Sequence, residues 1–371
     1  MVSDRSLGIR RGRASGRTAR PRGRRTVHGD AALGLAPTLS VIIPTFNRKY
    51  SLQRTLDSLS SQTFLREGFE VIVVDDGSAD DTETVARQRF PFAFRYARQE
   101  HEGATAARNR GAAFSQADVL VFIDDDVTVS PQTLEAFAEV CGRRRKVLVM
   151  GRLYRRSRIS ASVYSTIMLD PVETPQAGPD EVELPFTECN TELLACTRSD
   201  FLALDMLQDP TEGAGWPNWD DVDFGYRAHR NGFRLLQSGK AIGEHWDHSA
   251  SDRIVDCQRW FQASRSAVWL FKRHPDLVTW IPMLRDKTPI AWGQDSPVLV
   301  ARKLARQVLS SPLGREAIAG LTRILERHYP SPAALGRLYY WLQGACMFHG
   351  YREGLREIET GGAHARSRSC V

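Results

Sequence analysis

Three short apolar runs, separated by helical patterns, mark the beginning of the ordered part of the chain. Residues 39–43, 71–74 and 119–123 are almost entirely apolar and rich in β-branched side chains, which predicts buried strands. Apolar positions at helical spacing follow the first run, and a helix is predicted over residues 104–114. Strands and helices that alternate in this way predict an α/β fold on a parallel, doubly wound sheet with right-handed crossovers.

Two further helix starts are expected from capping residues. Ser78 with Asp81 three residues later resembles a capping box, and Ser130 before Pro131 is typical of a cap followed by proline in the first turn. An apolar stripe that includes Cys141 follows the second start and predicts a helix that packs on the sheet.

The pattern changes after about residue 255. Apolar residues recur there at helical spacing, and no further strand ends in an acidic residue. Residues 255–371 are therefore predicted to form a helical appendage, with residues 361–371 fraying at its end. The helical spacing is clearest at Val298, Ala301, Leu304 and Val308, and again at Leu338, Leu342 and Ala345.

Acidic residues follow two of the predicted strands. Asp76 comes after the second strand, and Asp124, Asp125 and Asp126 come directly after the third. In open α/β sheets the ligand crevice lies at the carboxyl ends of the strands, so these acids should face one crevice. Adjacent carboxylates repel one another unless a cation is present, and oxygen ligands suit Mg²⁺ or Mn²⁺. The alternative is an acidic surface turn.

Glycine-rich phosphate-binding loops are absent from the sequence. It contains no GxxxxGK[ST] motif and no GxGxxG after a strand; the glycines of residues 213–215 lie in a predicted loop. A phosphate-bearing ligand is therefore expected to be held through a metal ion.

Five motifs together resemble family 2 glycosyltransferases. LSVIIPTFN at residues 39–47, VIVVDDGSADDT at 71–82, ARNRG at 107–111 and FIDDD at 122–126 have that family's order and spacing. WDDVDF at residues 219–224 resembles its acceptor-side motif, usually Glu-Asp followed by an apolar residue and another acid. The resemblance covers roughly residues 38–250 and implies a GT-A fold, a nucleotide-sugar donor, a divalent metal ion and inversion at the anomeric carbon.

The resemblance also implies roles on the donor side. Pro44 and Phe46 match positions at the nucleobase, Asp76 matches an acid that accepts a hydrogen bond from a uracil-type ring, and Arg108 lies near the donor phosphates. The outer acids of the DxD motif correspond to Asp124, near the ribose, and Asp126, the better metal ligand. His245 matches a further phosphate or metal contact, with His248 as the alternative.

On the acceptor side, Asp221 occupies the position of the general base. Asp220 stands where glutamate is usual, which leaves open which of the two carboxylates removes the proton. Acids here also suit a helix N-terminus, where they complement the helix dipole. Trp216 and Trp219 flank the motif, either as platforms for sugar rings or as hydrophobic anchors. Arg227 is expected to form an exposed helical ion pair with Asp223.

The domain organisation and function follow from these motifs. Residues 37–254 are expected to form the glycosyltransferase domain, with a nucleotide-sugar half at 37–130 and an acceptor half at 131–254. The predicted reaction moves a sugar from a UDP- or dTDP-linked donor to a hydroxyl of a glycan, glycolipid or secondary metabolite. A sugar-nucleotide nucleotidyltransferase is the alternative enzyme, although it would favour a glycine-rich basic loop after the first strand.

The positive charge of the chain belongs to its beginning. The formal net charge is +6, but the first 29 residues hold nine arginines and one acid, so the rest has a net charge of −2. Residues 1–36 are predicted to be a disordered, arginine-rich tail. A nucleic-acid-binding role through this tail is the non-enzymatic alternative, and the acidic body argues against a nucleic-acid partner. Peripheral contact of the tail with anionic membrane lipid is the version retained.

Cysteine use and hydropathy bear on the compartment. Six cysteines occur without a CxxC pair, which is typical of reduced, mostly buried thiols. No stretch approaches the roughly 18 consecutive apolar residues of a membrane span, and no apolar segment follows the N-terminal arginines. A cytoplasmic protein, peripheral at most to the membrane, is therefore expected.

Overall fold

The computed structural model describes residues 27–28, 37–155, 162–168, 179–211, 219–246, 252–328 and 331–360. Trp216, His248, Cys370 and nearly all of the predicted tail lie outside the described residues. The division of the chain into domains at residues 36 and 254 stays a prediction.

The described residues form ten strands and eleven α-helices. The strands are β1 (Val27–His28), β2 (Leu39–Thr45), β3 (Phe69–Asp75), β4 (Ala93–Arg98), β5 (Val119–Ile123), β6 (Val127–Val129), β7 (Val147–Arg155), β8 (Glu181–Leu184), β9 (Leu193–Thr197) and β10 (Arg234–His245). The helices are α1 (Lys49–Leu59), α2 (Ala104–Phe114), α3 (Thr133–Arg143), α4 (Val163–Met168), α5 (Arg198–Ala203), α6 (Asp220–Arg230), α7 (Arg253–Arg273), α8 (Pro282–Arg285), α9 (Pro297–Leu309), α10 (Pro312–His328) and α11 (Pro332–Glu359).

One mostly parallel sheet contains all the described strands, in the order β1-β4-β3-β2-β5-β9-β7-β10-β6, with β8 on β10. β4, β3, β2 and β5 run parallel to one another, as the strand–helix alternation predicted. β9 runs antiparallel to both β5 and β7, whereas β7 and β10 are parallel. The three predicted strands are β2, β3 and β5, so the sequence pattern located the parallel half of the sheet.

The helix that crosses the sheet next to the predicted crevice packs very closely on β2. α2 occupies the predicted residues 104–114. Its Gly111 faces Ile42 of β2, and a Cβ at position 111 would overlap the Ile42 side chain. Glycine is therefore required here by the close approach of helix and strand.

Both predicted capping residues were wrong by two positions. The segment after β3 is a 3-10 helix at Asp81–Arg87, and its N-cap is Asp80, whose carboxylate accepts from the backbone N–H of Thr82. α3 begins at Thr133 after Gln132, so Ser130 lies before the helix instead of capping it. Local capping patterns are short and recur in loops, which explains why they indicate a helix start without fixing its residue.

The C-terminal helical appendage is confirmed. α7 and α11 carry a shared apolar cluster that also includes Val222 and Tyr226 of α6, so the appendage packs against the helix of the predicted acceptor motif. Arg265 of α7 pairs with Glu357 of α11 at the far side of this contact. Within the described residues, no helix is long and apolar enough to cross a membrane.

Candidate active site

Thr45, the last residue of β2, joins the two groups of acids that follow β3 and β5. Its carbonyl oxygen accepts from the backbone N–H of Asp76 at 2.9 Å, and its hydroxyl donates to Asp125 Oδ2 at 2.7 Å. β2 lies between β3 and β5, so the acids meet at one edge of the sheet. The predicted shared crevice is therefore present.

Asp76 holds the loop that leads into α2. Its buried carboxylate accepts from Gln99 Nε2 at 2.7 Å and from the backbone N–H groups of Glu102 and Gly103 at 2.9 and 2.8 Å. His101 Nδ1 lies 2.8 Å from the same carboxylate. Asp76 thus fixes this loop through its carboxylate.

An aromatic pair covers this edge of the crevice. The rings of Phe46 and His101 stack with centroids 4.3 Å apart, and Phe46 is 40% exposed. Pro44 lies inside β2, where it is buried opposite Val74 of β3. Of the two residues expected at the nucleobase, Phe46 is the one whose ring reaches the surface.

The three consecutive aspartates are held by two arginines and a threonine, and Asp125 and Asp126 share Arg48. Asp124 accepts from Arg108, Asp125 accepts from Thr45 and from Arg48, and Asp126 accepts from Arg48 at 2.7 Å. Burial raises the pKa of Asp125 to about 7, although the positive charge of Arg48 and the hydrogen bond from Thr45 oppose the rise. The negative charges of Asp126 and Asp124 add to this rise.

His245 and Glu192 extend this acidic cluster. His245 Nε2 lies 3.2 Å from Asp126 Oδ1, and Nδ1 lies 3.6 Å from Glu192 Oε2. Burial alone would lower the pKa of His245, but the hydrogen bond to Asp126 and the charges of Glu192 and Asp126 raise it above its ordinary value. Burial raises the pKa of Glu192, against the opposing effect of His245.

A divalent ion would fit this cluster with few protein ligands. The described residues hold no group of three or more His, Cys, Asp or Glu side chains placed to bind a metal. Asp126 and His245 nevertheless bring a carboxylate oxygen and an imidazole nitrogen to within 3.2 Å, and Nδ1 of His245 is buried without a hydrogen-bond partner among the described residues. Mg²⁺ and Mn²⁺ commonly take one or two protein ligands and complete their shell with phosphate and water.

Arg108 connects the donor-side acids to the acceptor-side motif. It is buried on α2, donates to Asp124, and places Nη1 3.8 Å from Asp220 Oδ2. Thr105, one turn earlier, donates its hydroxyl to the same oxygen of Asp220 at 2.7 Å. Asp220 is therefore held by α2, whereas the resemblance placed Arg108 near phosphates.

Asp221, at the start of α6, keeps a partly exposed surface. Its Oδ1 accepts from the backbone N–H of Val222 at 2.7 Å. Burial of the carboxyl group, together with the negative charge of Asp220, raises the pKa of Asp221 well above its ordinary value. A carboxylate of raised pKa that is not held by another side chain suits a proton acceptor.

Trp219 and Arg227 contact other segments of the same chain. Trp219 is buried, and its indole N–H donates to the carbonyl oxygen of Ala263 in α7 at 2.6 Å. The hydrophobic-anchor alternative is thus the one its position favours. The ion pair expected between Arg227 and Asp223 is present, with Nε 2.7 Å from Oδ2. Its expected exposure was wrong, because Asp223 is fully buried and its other oxygen lies 2.8 Å from His274 Nε2.

Part of the chain matches a known family model. The family model for glycosyl transferase family 2 matches residues 40–182, which include β2, β3, β5 and the three aspartates. Residues 40–182 are therefore similar to family 2 glycosyltransferases.

Relatives and a solved structure are consistent with this domain. The chain is 28% identical over 275 residues to validoxylamine A glucosyltransferase of Streptomyces hygroscopicus subsp. jinggangensis, covering 65% of this chain and 62% of that protein. It is 39% identical over 105 residues to glycosyltransferase AglE of Haloferax volcanii, covering 27% of this chain and 34% of that protein. The chain thus spans about six tenths of the length of the first of these relatives.

The structure of the mannosyltransferase PcManGT from Pyrobaculum calidifontis, in complex with GDP-Man and Mn²⁺, superposes with a TM-score of 0.52. The two chains are 18% identical, and the match covers 86% of this chain and 88% of the other. The predicted GT-A fold of the glycosyltransferase domain is confirmed.

Sequence motifs located the aspartates of the candidate site but missed several of their partners, among them Glu192 and His101. Glu192 precedes β9, a strand that the pattern did not predict, and reaches the cluster only because β9 lies beside β5. His101 lies just before α2, and its signal was the short distance to the ARNRG motif. Both residues enter the crevice from segments without a motif of their own.

Proposed function

We propose that the protein transfers a sugar from a nucleoside-diphosphate sugar to a hydroxyl group of an acceptor, with inversion at the anomeric carbon. The observation that carries this proposal is the continuous set of contacts from Asp124 through Arg108 to Asp220, next to Asp221. It ties the donor-side acids to a proton acceptor at the start of α6. A single in-line displacement needs these two groups on either side of one sugar.

On the donor side, the Phe46–His101 stack is offered as the platform for the nucleobase. The carboxylate of Asp76, held by the loop before α2, supports the edge of the site where a UDP- or dTDP-type ring would bind. Asp126 and His245 would hold Mg²⁺ or Mn²⁺, with Asp124 beside them. When bound, such an ion offsets the negative charge that develops on the leaving nucleoside diphosphate. The similar mannosyltransferase was solved with a nucleotide sugar and Mn²⁺.

On the acceptor side, Asp221 would accept the proton of the attacking hydroxyl. Its raised pKa brings its basicity closer to that of a base that works near neutral pH. Asp220, held by Thr105 and Arg108, would keep the start of α6 in place. The acceptor is a glycan, a glycolipid or a small polyhydroxylated metabolite; a relative is named for the last class, validoxylamine A.

The test identifies the reaction products by their mass and compares the variant Asp221→Asn with the control Asp81→Asn. The protein is incubated with UDP-glucose and other nucleotide sugars, Mn²⁺ and a panel of hydroxyl acceptors, and products are identified by mass spectrometry. Asp221→Asn should retain stabilisation by UDP and Mn²⁺ in a thermal-shift assay and lose transfer by at least about 100-fold. Asp81→Asn, at an exposed acid outside the crevice, should behave as the parent protein.

Two outcomes would overturn the proposal. Full transfer by Asp221→Asn would remove the assigned base. Formation of a nucleotide sugar from a nucleoside triphosphate and a sugar phosphate, without transfer to any hydroxyl, would favour the nucleotidyltransferase alternative instead.

A further inference from the structure

α9 buries two cationic side chains and exposes its apolar ones, which is the opposite of an ordinary surface helix. Its cationic residues Lys303 and Arg306 are buried, with 2% and 0% of their surface exposed. Val298 and Val308, on the opposite side, are 71% and 68% exposed. Ala301 and Leu304 are exposed between them. The apolar stripe that the sequence pattern showed in this helix thus faces away from the protein.

Specific contacts hold the buried face of α9 in place. Lys303 Nζ donates to Asp295 Oδ2 at 2.6 Å and to the carbonyl oxygen of Pro289 at 2.9 Å. Arg306 donates to Asp286 Oδ2 and to the carbonyl oxygen of Trp341, both at 3.3 Å. Turning the helix would break the ion pairs of Lys303 with Asp295 and of Arg306 with Asp286, so these contacts fix which side of α9 faces the protein.

The neighbouring helix α11 is shaped to receive Arg306. The guanidinium carbon lies 4.4 Å from the centre of the Trp341 ring. A Cβ at Gly344 would overlap the guanidinium, so glycine makes the necessary space. The outward direction of the apolar stripe is therefore a property of the packed structure and not of a loosely placed helix.

α10 continues the exposed apolar surface. Leu313 is 80% exposed, and Leu321 and Ile324 are 47% and 56% exposed, whereas Ile318 and Thr322 face inward. In the loop before α9, Trp292 is 75% exposed. Tryptophan is enriched where a protein meets the polar–apolar boundary of a bilayer. Two consecutive helices and a preceding tryptophan thus leave large apolar side chains in contact with water.

The charge around these residues is positive. On the exposed surfaces of α9 and α10, three arginines, Arg302, Arg323 and Arg327, accompany a single exposed acid, Glu316. A helix with an apolar face and flanking arginines binds best at the surface of a bilayer that contains anionic lipid. A second copy of the chain would bring the same positive charge to the contact, so the charge favours the bilayer over self-association.

We propose that α9 and α10 form a docking surface for an anionic lipid bilayer, with the helices lying in the interface and the apolar side chains entering it. This surface is separate from the arginine-rich segment at residues 1–36, which could add only electrostatic attraction. It is also independent of the reaction proposed for the crevice, because none of its residues lies there.

The experiment is vesicle flotation with the full chain. Vesicles rich in phosphatidylglycerol are compared with pure phosphatidylcholine vesicles at physiological and at raised ionic strength, because raised salt screens the attraction of all exposed arginines, including those of residues 1–36. The parent protein should float with the anionic vesicles. The double variant Val308→Asp/Leu313→Asp should lose at least about tenfold in partition coefficient, because two apolar side chains no longer enter the bilayer.

A matched control separates apolar contact from added charge. Gln294→Asp/Gln307→Asp places two negative charges at exposed polar positions of the same region and should lose much less binding. Unchanged melting temperatures of both variants would show that the fold is retained. Equal flotation of the parent protein and Val308→Asp/Leu313→Asp would overturn the proposal.

Sedimentation velocity tests whether a second copy of the chain occupies this surface instead of lipid. If the parent protein fails to float but forms a dimer that Val308→Asp/Leu313→Asp dissociates, the surface is a contact between two copies, and the lipid assignment is wrong. A monomeric parent protein that floats supports the assignment.

Discussion

Asp124 and Asp220 lie on two sides of the same guanidinium, that of Arg108, which donates to Asp124 and places Nη1 3.8 Å from Asp220 Oδ2. Asp124 follows β5, whereas Asp220 begins α6. A single buried cation therefore holds together the end of the sheet and the start of the acceptor-side helix. Its removal should affect both parts at once.

Arg108→Gln should destabilise the protein and reduce sugar transfer. Loss of one partner of a buried ion pair typically costs about 3–5 kcal/mol, because the remaining charges lose their compensation. Urea unfolding measures the free energy of unfolding, and initial rates measure transfer. The additional change Asp220→Asn should restore part of the lost stability by removing one of the two orphaned charges.

Arg110→Gln is the matched control for this experiment. Arg110 lies on the same helix, and its guanidinium lies 5.8 Å from the centre of the Phe114 ring, outside the crevice. It should retain stability within about 0.5 kcal/mol. If Arg108→Gln unfolds at the same urea concentration as Arg110→Gln, the central role of the Arg108 contact is wrong.

Asp220→Asn should shift the pH dependence of the reaction to lower pH. Burial and the charge of Asp220 raise the pKa of Asp221, and a base accepts a proton only when it is ionised. Transfer is therefore lost as the pH falls through this raised pKa. Removal of the neighbouring negative charge lowers the pKa of Asp221, so the acid limb of kcat/KM should move down.

Thr105→Val separates charge from hydrogen bonding in this pair. It removes the hydroxyl that donates to Asp220 and leaves the Asp220 charge in place. In Thr105→Val, the acid limb of kcat/KM should not move to lower pH. An acid limb that stays unchanged in Asp220→Asn would contradict the assignment of Asp221 as the titrating base.

Asp223→Ala should cost about 3–5 kcal/mol of unfolding free energy. The fully buried carboxylate lies 2.7 Å from Arg227 Nε and 2.8 Å from His274 Nε2, so its loss leaves the partly buried Arg227 without its ion-pair partner. Urea unfolding measures the effect. Asp276→Ala removes an exposed carboxylate that accepts from Tyr226 in the same region and should have a clearly smaller effect. Equal losses would show that the Asp223 contacts contribute little.

Two helical glycines should respond oppositely to alanine. A Cβ at Gly111 would overlap Ile42, so Gly111→Ala should push α2 from β2 and cost about 1–3 kcal/mol. Gly142, on α3, has no atom within 4 Å of an added Cβ, and Gly142→Ala should gain about 0.5–1 kcal/mol. Both values come from urea unfolding, and destabilisation by Gly142→Ala would refute the assigned packing difference.

Sequence patterns located the parts of the fold that local hydrophobicity controls. β2, β3 and β5 are almost purely apolar because both faces of the parallel sheet are covered, so their signal is strong. β7 and β10 were not predicted, because polar residues and a register shift interrupt them. β9 carries an apolar run of its own, but its place beside β5 depends on pairing with strands distant in the chain.

The candidate site was predictable where a motif supplies the residues and unpredictable where contacts between motifs decide their roles. Asp76 and Asp125 were expected at one edge, and Thr45 joins them there. The sequence left Asp220 and Asp221 as alternative bases. Only the packed structure engages Asp220 with Thr105 and Arg108 and leaves Asp221 without such side-chain contacts, because α2 and α6 meet through tertiary packing.

The amino-acid sequence by itself determined the α/β order, the acids at the strand ends and the helical character of the C-terminal region, because these depend on neighbours within a few residues. The tertiary structure alone decided which side of α9 faces the protein. α9 shows the physical reason: its apolar spacing predicts a helix, but acids from other segments bind Lys303 and Arg306, so the apolar residues face outward.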